Sequence, residues 1–380
     1  MKKIAILLPD LSPGGAERVT LRLASWFIRL GYEVDLLLMK ARGHLLGHVP
    51  QEVRIIDFSV SRIRGVIVPL RQYLKAERPL ALLVAMYPLT VIAMLAALTI
   101  RRRPRIVVCE HVVLSRMESE VRLPGSSLMR SILRWTYLRA GGIVAVSKGV
   151  AQDLSRLADI PAPRIRVIYN PAARGQAPST DVMTTVFNDW KNYGYSKIIT
   201  VGTLKRQKNH KLLLTAFSQV RQAIPAKLLI LGEGKTRPEL ENLACELGIS
   251  SDVLMPGFAA DTYPYYLASD LFVLSSCYEG FGNVIVEAME CGLPVVSTDC
   301  ESGPAEILDG GRYGWLVPVG DAHALASAML VALKEPTNPE RQRARAREFS
   351  IERAGEAYLE LLDPARLSEP VPYAQPKEVR

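Results

Sequence analysis

The sequence predicts an α/β fold in which two Rossmann-like domains, each built from βαβ units, face a central cleft. Its 380 residues are enough for two or three domains with hydrophobic cores of their own. Apolar residues make up 49% of the chain and charged residues 22%, which is typical of globular proteins and excludes wholesale disorder. Strand-like and helix-like segments alternate in two successive rounds, and such alternation gives parallel sheets covered by helices.

The first round begins with the apolar strand Ile4–Leu8. A loop with Gly14 and Gly15 follows, and then a helix from about Ala16 to Leu30, which has apolar residues at helical spacing and Gly31 as its stop. The other strands predicted for this round are Glu33–Met39, Leu80–Met86, Ile106–Cys109, Gly142–Ser147 and Ile165–Tyr169.

One apolar stretch, Pro79–Ile100, has 22 residues without a charge and is long enough to span a bilayer. Pro79 and Pro88 divide it into a short strand-like run and a helical run, Leu89–Ile100. A buried strand followed by a packed helix explains both pieces, so we expect no membrane span. A transmembrane helix is the alternative.

The polar segment 172–180 separates the two rounds, and the alternation restarts after Trp190. The second-round strands are predicted at Lys197–Gly202, Lys227–Gly232, Asp252–Gly257, Leu271–Ser276, Pro294–Thr298 and Gly314–Val317, with helices at Asn209–Val220, Pro238–Leu247, Asn283–Cys291 and Ala322–Leu333. We expect one domain over residues 1–171, a second over 172–345, a C-terminal helix at 346–363 that crosses back to the first domain, and a flexible tail at 364–380.

Charge is unevenly spread along the chain. Residues 1–170 carry 26 Lys and Arg against 12 Asp and Glu, a net charge of +14, whereas the remainder nets −5. The first half is therefore expected to meet something anionic. No nucleic-acid-binding motif is present, so an anionic membrane face or a phosphorylated substrate is favoured over nucleic acid. A basic surface that is merely solvated is the alternative.

The cysteines and the N-terminus indicate the compartment. The five cysteines form no CxxC pair and no metal-ligand cluster, which is typical of reduced thiols in a cytosolic protein. The apolar run Ile4–Leu8 is too short for a signal-peptide core. We therefore expect a cytoplasmic protein.

Ligands of open parallel sheets bind beyond the carboxyl ends of the strands, so the loops at these ends are candidate sites. Glycines after the first strand can let backbone amides approach a phosphate, although tight strand–helix turns often use glycine and the glycines alone are weak evidence. Cations including Lys208, which precede a helix, suit a diphosphate, although a solvated charge run explains them equally well. The loop after Leu271–Ser276 is more specific, because Glu279 lies in a glycine-rich turn and Glu287 follows in the next helix. Two such carboxylates can accept hydrogen bonds from one polyhydroxylated ligand.

His111 directly follows the strand Ile106–Cys109 and Glu110. At that edge of a sheet a histidine can donate a hydrogen bond to a sugar or a phosphate. Taken alone, a packed structural histidine is the simpler interpretation.

Together these motifs resemble glycosyltransferase family 4, whose members are retaining, nucleotide-sugar-dependent enzymes with the glycosyltransferase B fold. The matching motifs, which cover roughly residues 1–363, are Gly14-Gly15-Ala16-Glu17-Arg18, Glu110-His111, Gly202-Thr-Leu-(x2)-Gln-Lys208-Asn209, Gly232-Glu-Gly234 and Glu279-Gly-Phe-Gly-Asn-(x3)-Glu287-Ala-Met. The stretch from Pro294 to Leu308 is also similar to members that build bacterial surface polysaccharides and protein-linked glycans.

The resemblance implies a role for each matching residue. Glu287 would accept the ribose hydroxyls of the nucleotide, Glu279 would accept hydroxyls of the transferred sugar, and Lys208 would neutralise the departing diphosphate. His111 would contact the sugar near the reacting carbon, and the N-terminal domain would bind the acceptor, a glycan or a polyprenyl-diphosphate-linked sugar. The other expected donor-binding residues are Gly14, Gly15, Thr203, Lys205, Gly232, Gly234, Phe281, Gly282 and Asn283.

The sequence departs from the family pattern at Thr203, where an arginine is usual. The second cation of the phosphate clamp is then expected from Lys205 or Arg206, or Thr203 donates a neutral hydrogen bond.

No Asp-x-Asp triplet is present, so we expect neither a metal ion nor another cofactor. UDP-sugar is the expected donor, and peripheral association with the inner face of the plasma membrane is the expected location. A sugar-nucleotide epimerase of the same fold and a non-catalytic binding protein are the alternatives.

Overall fold

The computed structural model describes residues 2–12, 14–116, 126–175, 190, 194–335 and 337–368. The chain packs as two compact units. The first contains Met1–Cys109, Trp135–Ile143 and Gly355–Arg380, and the second contains Glu110–Arg134 and Val144–Ala354.

Seven strands form the first sheet, in the order β3-β2-β1-β4-β5-β6-β7. Strand β1 pairs in parallel with both β2 and β4, so that Ile4 lies opposite Val34 on one side and Ala81 on the other. The strands are β1 Lys3–Leu8, β2 Glu33–Leu38, β3 Arg54–Asp57, β4 Ala81–Ala85, β5 Arg105–Glu110, β6 Gly142–Ala145 and β7 Ile165–Val167. Residues of β1, β2 and β4 are almost all buried, which accounts for the apolar runs Ile4–Leu8 and Ala81–Ala85, while β2 also buries Asp35.

Five of the described helices precede the second sheet. They are α1 Gly15–Arg29, α2 Ile67–Glu77, α3 Leu89–Ala97, α4 Ser126–Tyr137 and α5 Lys148–Ala158. The uncharged stretch after Pro79 forms β4 and α3, as the two prolines predict. Within the described ranges, no helix has both the length and the apolar composition required to cross a bilayer.

Six strands form the second sheet, in the order β10-β9-β8-β11-β12-β13. They are β8 Ser196–Val201, β9 Ala226–Leu231, β10 Val253–Gly257, β11 Leu271–Leu274, β12 Val295–Thr298 and β13 Trp315–Val317, and all of their pairings are parallel. The direction of the strand order changes between β8 and β11. Parallel sheets open a ligand-binding crevice at such a point.

The later helices are α6 His210–Ala223, α7 Arg237–Glu246, α8 Tyr263–Leu267, α9 Asn283–Glu290, α10 Pro304–Ile307, α11 Ala322–Lys334, α12 Pro339–Ala346 and α13 Ile351–Leu362. Leu213 and Phe217 of α6, together with Leu325 and Met329 of α11, form a buried cluster with Val273 of β11. This cluster fixes two of the helices onto the second sheet.

The end of α13 belongs to the first unit. Tyr358 lies 3.0 Å from the Cys109 sulfur through its hydroxyl, and Gly355 packs so closely on the indole of Trp26 that a Cβ would clash. After the helix, buried Asp363 accepts hydrogen bonds from Lys2 Nζ at 2.9 Å and from the Tyr32 hydroxyl at 2.8 Å. The C-terminal helix is thus anchored by packing, hydrogen bonds and charge.

Candidate active site

The loops that follow β8 and β11 are joined by hydrogen bonds at the carboxyl edge of the second sheet. Cys277 N donates to Gln207 O and Gln207 Nε2 donates to Tyr278 O, both at 2.8 Å. Ser275 Oγ donates to the carbonyl of Lys208 at 2.9 Å. The loop that carries Lys208 is therefore held against the loop that carries Glu279.

Lys208 and Glu279 form an ion pair in this crevice, with Lys208 Nζ 2.6 Å from Glu279 Oε1. Ser276 Oγ donates to the same carboxylate oxygen at 2.6 Å. Both charged side chains are largely buried, and a buried charge is tolerated only when it is paired and hydrogen-bonded. No described residue donates to Glu279 Oε2, and two N–H groups of Lys208 Nζ take no part in the pair. The pair can therefore bind a ligand without being broken.

Glu287 lies about one turn into α9 and is also buried. Its Oε2 accepts from the Tyr266 hydroxyl at 3.3 Å and, more weakly, from Thr262 Oγ1 at 3.5 Å. Burial, and secondarily the charge of Glu287, raise the pKa of Tyr266 well above its usual value, so the phenol stays a donor. Since no described residue donates to Oε1, Glu287 presents one carboxylate oxygen to a hydroxyl-bearing ligand.

The turn between Glu279 and α9 depends on glycine. Gly282 has a φ of +100°, in the left-handed region, where it caps α9. A Cβ on Gly280 would lie 1.8 Å from the carbonyl oxygen of His111. The ring of Phe281 stacks on Tyr169 at 5.6 Å and meets Phe349 edge-on at 5.4 Å. The side chain of Phe281 thus anchors the turn, while the turn's amides lie at the N-terminus of a helix.

His111 is brought to this turn, since its backbone contacts Gly280. Burial of the imidazole lowers the pKa of His111 to about 4. The ring is therefore neutral at pH 7, with one nitrogen that donates and one that accepts. In this form the ring can donate a hydrogen bond to a phosphate, but it offers the phosphate no positive charge.

Gly232 and Gly234 allow the loops after β8 and β9 to pack backbone to backbone. A Cβ on Gly232 would lie 2.0 Å from Gly202 O, and one on Gly234 would lie 2.2 Å from Leu204 O. In the loop after β8, Thr203, Lys205 and Arg206 are exposed, whereas Lys208 is largely buried. Because residue 203 is threonine and not arginine, it provides no guanidinium beside Lys208.

Gly14 and Gly15 lie in the first unit, at the N-terminus of α1. Gly14 is the residue that caps this helix, and a Cβ there would lie 2.0 Å from a carboxylate oxygen of Glu17. The other residues expected at the site, including Asn283, belong to the second unit. Asn283 Oδ1 accepts from Asn170 Nδ2 at 2.9 Å.

The sequence interpretation missed the residues that hold the two carboxylates, namely Ser276, Thr262 and Tyr266. It also missed Glu290, the second buried carboxylate of α9, which accepts from the amides of Arg174 and Gly175 at 2.8 Å each and from the Tyr263 hydroxyl. Ser276 ends the predicted strand 271–276, and Thr262 follows β10. The rule that favours strand carboxyl ends could therefore have singled out both.

Comparison with known proteins decides the family. Residues 13–173 match the model of "Glycosyltransferase Family 4", and residues 185–349 match that of "Glycosyl transferases group 1". The chain belongs to glycosyltransferase family 4. The resemblance drawn from its motifs is confirmed, and so is glycosyl transfer as its function. The epimerase and the non-catalytic binding protein are not favoured.

Two curated relatives of this family 4 member span most of its length. It is 28% identical to a Campylobacter jejuni enzyme, N-acetylgalactosamine-N,N'-diacetylbacillosaminyl-diphospho-undecaprenol 4-alpha-N-acetylgalactosaminyltransferase, over 88% of this chain and 91% of the relative. It is 27% identical to the amylovoran biosynthesis glycosyltransferase AmsD of Erwinia amylovora, over 82% of this chain and 85% of the relative.

A solved structure confirms the fold. Anabaena Alr3699/HepE, solved in complex with UDP and glucose, superposes with a TM-score of 0.75 at 20% identity and covers 97% of this chain and 100% of its own. The two-domain glycosyltransferase B fold predicted for this family 4 member is thus correct.

Proposed function

We propose that this glycosyltransferase moves a sugar from a nucleotide-sugar to a lipid-diphosphate-linked or glycan acceptor with retention of anomeric configuration. One observation carries the proposal. Glu279 and Glu287 are both buried beside one glycine-rich turn, and each has a carboxylate oxygen to which no described residue donates. Such oxygens suit the hydroxyls of a sugar and of a ribose.

The donor is proposed to bind in the domain 172–345. Glu287 accepts the ribose hydroxyls, Glu279 accepts sugar hydroxyls, and Lys208 contacts the diphosphate. The amides of Phe281, Gly282 and Asn283 orient the phosphate and the sugar, and Gly232 and Gly234 let the backbone approach the donor. The remaining proposed donor contacts come from Gly14, Gly15, His111, Thr203 and Lys205.

The chemical step is proposed to be a front-face substitution. The acceptor hydroxyl attacks the anomeric carbon on the face from which the diphosphate leaves, and the departing phosphate oxygen takes the hydroxyl proton. Lys208 and the N-terminus of α9 stabilise the charge that develops on the leaving group. With that charge met by the protein's own groups, we propose that the enzyme, a hexosyl- or N-acetylhexosaminyltransferase, needs no divalent ion.

The names of similar proteins support the choice of substrates. The Campylobacter relative is named for a diphospho-undecaprenol-linked acceptor, and the Anabaena structure contains UDP and glucose. We propose a UDP-sugar as donor and a polyprenyl-diphosphate-linked sugar as acceptor, in the synthesis of a polysaccharide or glycoconjugate. The acceptor would bind to the domain 1–171.

Helix α4 supports docking on an anionic membrane. Leu128, Ile132 and Trp135 follow one another at helical spacing and are 67%, 37% and 42% exposed. The guanidinium of Arg139 stacks on the Trp135 ring at 4.3 Å, and Arg130 is exposed on the same helix. An apolar stripe flanked by arginines is typical of helices that lie in a membrane interface. We therefore propose a cytoplasmic enzyme that is peripherally bound to the inner face of the plasma membrane.

A panel of nucleotide-sugars assayed with polyprenyl-diphosphate-linked sugars tests the proposed reaction. Release of UDP together with a new α-linked glycoside, with and without EDTA, is the expected result. Interconversion of sugar-nucleotides without a glycoside product would overturn the proposal in favour of an epimerase. A strict requirement for Mg²⁺ or Mn²⁺ would overturn only the metal-free mechanism.

A further inference from the structure

Ser147 joins helix α5 to the glycine-rich turn. It directly precedes α5 and is fully buried. Its hydroxyl accepts a hydrogen bond from Val150 N at 3.1 Å and so caps the helix. The same hydroxyl lies 2.7 Å from the carbonyl oxygen of Gly280 and donates to it.

The direction of the two hydrogen bonds is fixed by chemistry. An amide N–H can only donate and a carbonyl oxygen can only accept, whereas a serine hydroxyl has one proton and two lone pairs. The Ser147 proton must therefore point at Gly280 O while a lone pair receives Val150 N–H. Both bonds form at the same time without conflict.

The bond to Gly280 O also orients the next amide. Gly280 C=O and Phe281 N–H belong to one planar trans peptide, in which the two groups point in opposite directions. With the carbonyl held by Ser147, the Phe281 N–H points away from it. Among the described residues no acceptor receives the Phe281 N–H, although Phe281 is buried. An amide N–H that no described residue accepts from can donate to a ligand oxygen, and the bond to Ser147 sets the direction in which it does so.

Among the residues that the structure describes, no other contact of the turn holds the Gly280–Phe281 peptide by a hydrogen bond. The Phe281 ring is held by Tyr169 and Phe349, but the preceding residue is glycine, which can rotate freely. The close approach of Gly280 to the His111 carbonyl limits where the chain can lie, but it supplies no hydrogen bond to the Gly280–Phe281 peptide.

We propose that Ser147 is a positioning residue that orients the Phe281 N–H toward a phosphate oxygen of the nucleotide-sugar. This inference rests on the donor site assigned under the proposed function. It predicts that Ser147, though far from Glu279 in sequence, controls donor affinity.

The test must separate this role from capping of α5. Ser147→Ala removes both bonds, and Ser147→Thr retains a hydroxyl that can make both. Asp321→Ala is the matched control, because Asp321 Oδ1 caps α11 by accepting from Ala324 N at 2.8 Å and lies outside the turn. For each protein we would measure UDP affinity by calorimetry, KM and kcat for the donor, KM for the acceptor, and thermal unfolding.

We expect Ser147→Ala to weaken UDP binding and raise donor KM by about tenfold, since one charge-assisted hydrogen bond is misaligned. The acceptor KM stays unchanged, Ser147→Thr restores donor affinity, and Asp321→Ala lowers only the unfolding temperature. In protein labelled with [¹⁵N]phenylalanine, UDP should shift the Phe281 amide signal of the wild type and not that of Ser147→Ala. The signal can be assigned from its loss in Phe281→Leu.

The experiment distinguishes failure of the proposed function from failure of the positioning role of Ser147. If the wild type neither binds UDP nor uses any nucleotide-sugar, the proposed function fails and the role of Ser147 fails with it. If the wild type binds UDP and Ser147→Ala binds it equally well, with only a lower unfolding temperature, the donor site stands and the positioning role is overturned.

Discussion

At the residue scale, the candidate site depends on carboxylates that are buried but only partly satisfied. Glu279 shares one oxygen between Lys208 and Ser276, and Glu287 shares one between Tyr266 and Thr262. In each case the protein partners hold the side chain in place. The second oxygen then has a defined position at little further entropic cost, which is how a site is preorganised.

Glu279→Gln and Glu287→Gln test this arrangement with little change in volume. Each replaces a charged acceptor by a neutral amide, and loss of one charge-assisted hydrogen bond of about 1.5–3 kcal/mol lowers kcat/KM tenfold to hundredfold. Steady-state kinetics against the preferred nucleotide-sugar measures the loss. Glu241→Gln, in an exposed pair with Arg237, is the control and should retain full activity. Full activity in either test variant would show that its carboxylate does not contact the donor.

His210, the first residue of α6, predicts a pH dependence of stability. Burial, and secondarily the charge of Lys208, lower its pKa from 6.5 to about 4. Between these values the unfolded chain binds a proton that the folded chain does not, so the free energy of unfolding falls as the pH is lowered from 6.5 toward 4. Between pH 7 and pH 5 this amounts to about 2 kcal/mol.

Urea unfolding at the two pH values measures this contribution. His210→Gln should lose about 2 kcal/mol less than the wild type on acidification, whatever its stability at pH 7. Exposed His323, replaced in the same way by glutamine, is the control and should retain the wild-type dependence. An unchanged slope in His210→Gln would mean that His210 does not remain neutral in the folded protein.

At the element scale, close backbone approach governs the turn before α9. Gly280→Ala would place a methyl group 1.8 Å from His111 O, and Gly303→Ala would place one 1.8 Å from Phe281 O at a φ of +95°. Neither backbone atom can yield without moving its loop, so each variant should lose about 1–3 kcal/mol of stability. Each should also bind UDP at least tenfold more weakly, since the turn amides move.

Differential scanning fluorimetry with and without UDP measures both effects. Gly47→Ala is the matched control, because a Cβ there meets no atom within 4 Å and its φ is not in the left-handed region. It should leave the UDP-induced rise in melting temperature unchanged. Wild-type stabilisation by UDP in Gly280→Ala would place the nucleotide elsewhere.

Some of the strands and helices could be predicted from the sequence and others could not. Buried strands such as β1 and β11 were predicted because their apolar runs are continuous and a polar turn ends each one. Strand β3 was missed, since this short edge strand is mostly exposed and has no apolar pattern. Helix α5 was missed although it has apolar residues at helical spacing and a serine cap.

The two carboxylates proposed to bind the donor could be singled out from the sequence, and their hydrogen-bond partners could not. Glu279 and Glu287 lie in one short motif, whereas Tyr266 reaches Glu287 from a separate helix, α8. Ser147 is 133 residues from Gly280. Such contacts follow from how strands are ordered in a sheet, which local sequence patterns do not encode.

At the scale of the whole molecule, charge and exposed apolar surface concentrate in the N-terminal half. Residues 1–170 carry a net charge of +14 in a chain whose total is +9. Arg101, Arg102 and Arg103 are exposed, and α4 by itself has an exposed apolar stripe with neighbouring arginines. Arg122 and Leu123, a further basic and a further apolar residue of this half, lie outside the described residues. A basic surface alone would favour solubility, but a basic surface with exposed leucine, isoleucine and tryptophan side chains favours an anionic bilayer.

Vesicle binding should therefore require anionic lipid and involve α4. We expect the protein to float with vesicles of phosphatidylglycerol but not with vesicles of phosphatidylcholine alone, since each base near an anionic surface contributes about 1 kcal/mol. At physiological salt the Debye length is about 8 Å, and it shortens as salt is added. Binding should therefore weaken as the salt concentration rises above the physiological value. Trp135 is more exposed than the other described tryptophans, so a blue shift of tryptophan emission on binding reports its entry into the interface.

Variants of α4 then separate insertion from simple charge attraction. Replacing Leu128, Ile132 and Trp135 together by serine removes the apolar stripe without changing a charge, and it should reduce vesicle binding at least tenfold, because the apolar area buried in the interface is lost. Val331→Ser is the control, since Val331 is 41% exposed on α11 and has no place in the proposed surface. If the triple variant binds anionic vesicles as well as the wild type does, attraction is purely electrostatic and α4 does not insert. Equal binding to both kinds of vesicle, or to neither, would instead remove membrane docking from the proposed function.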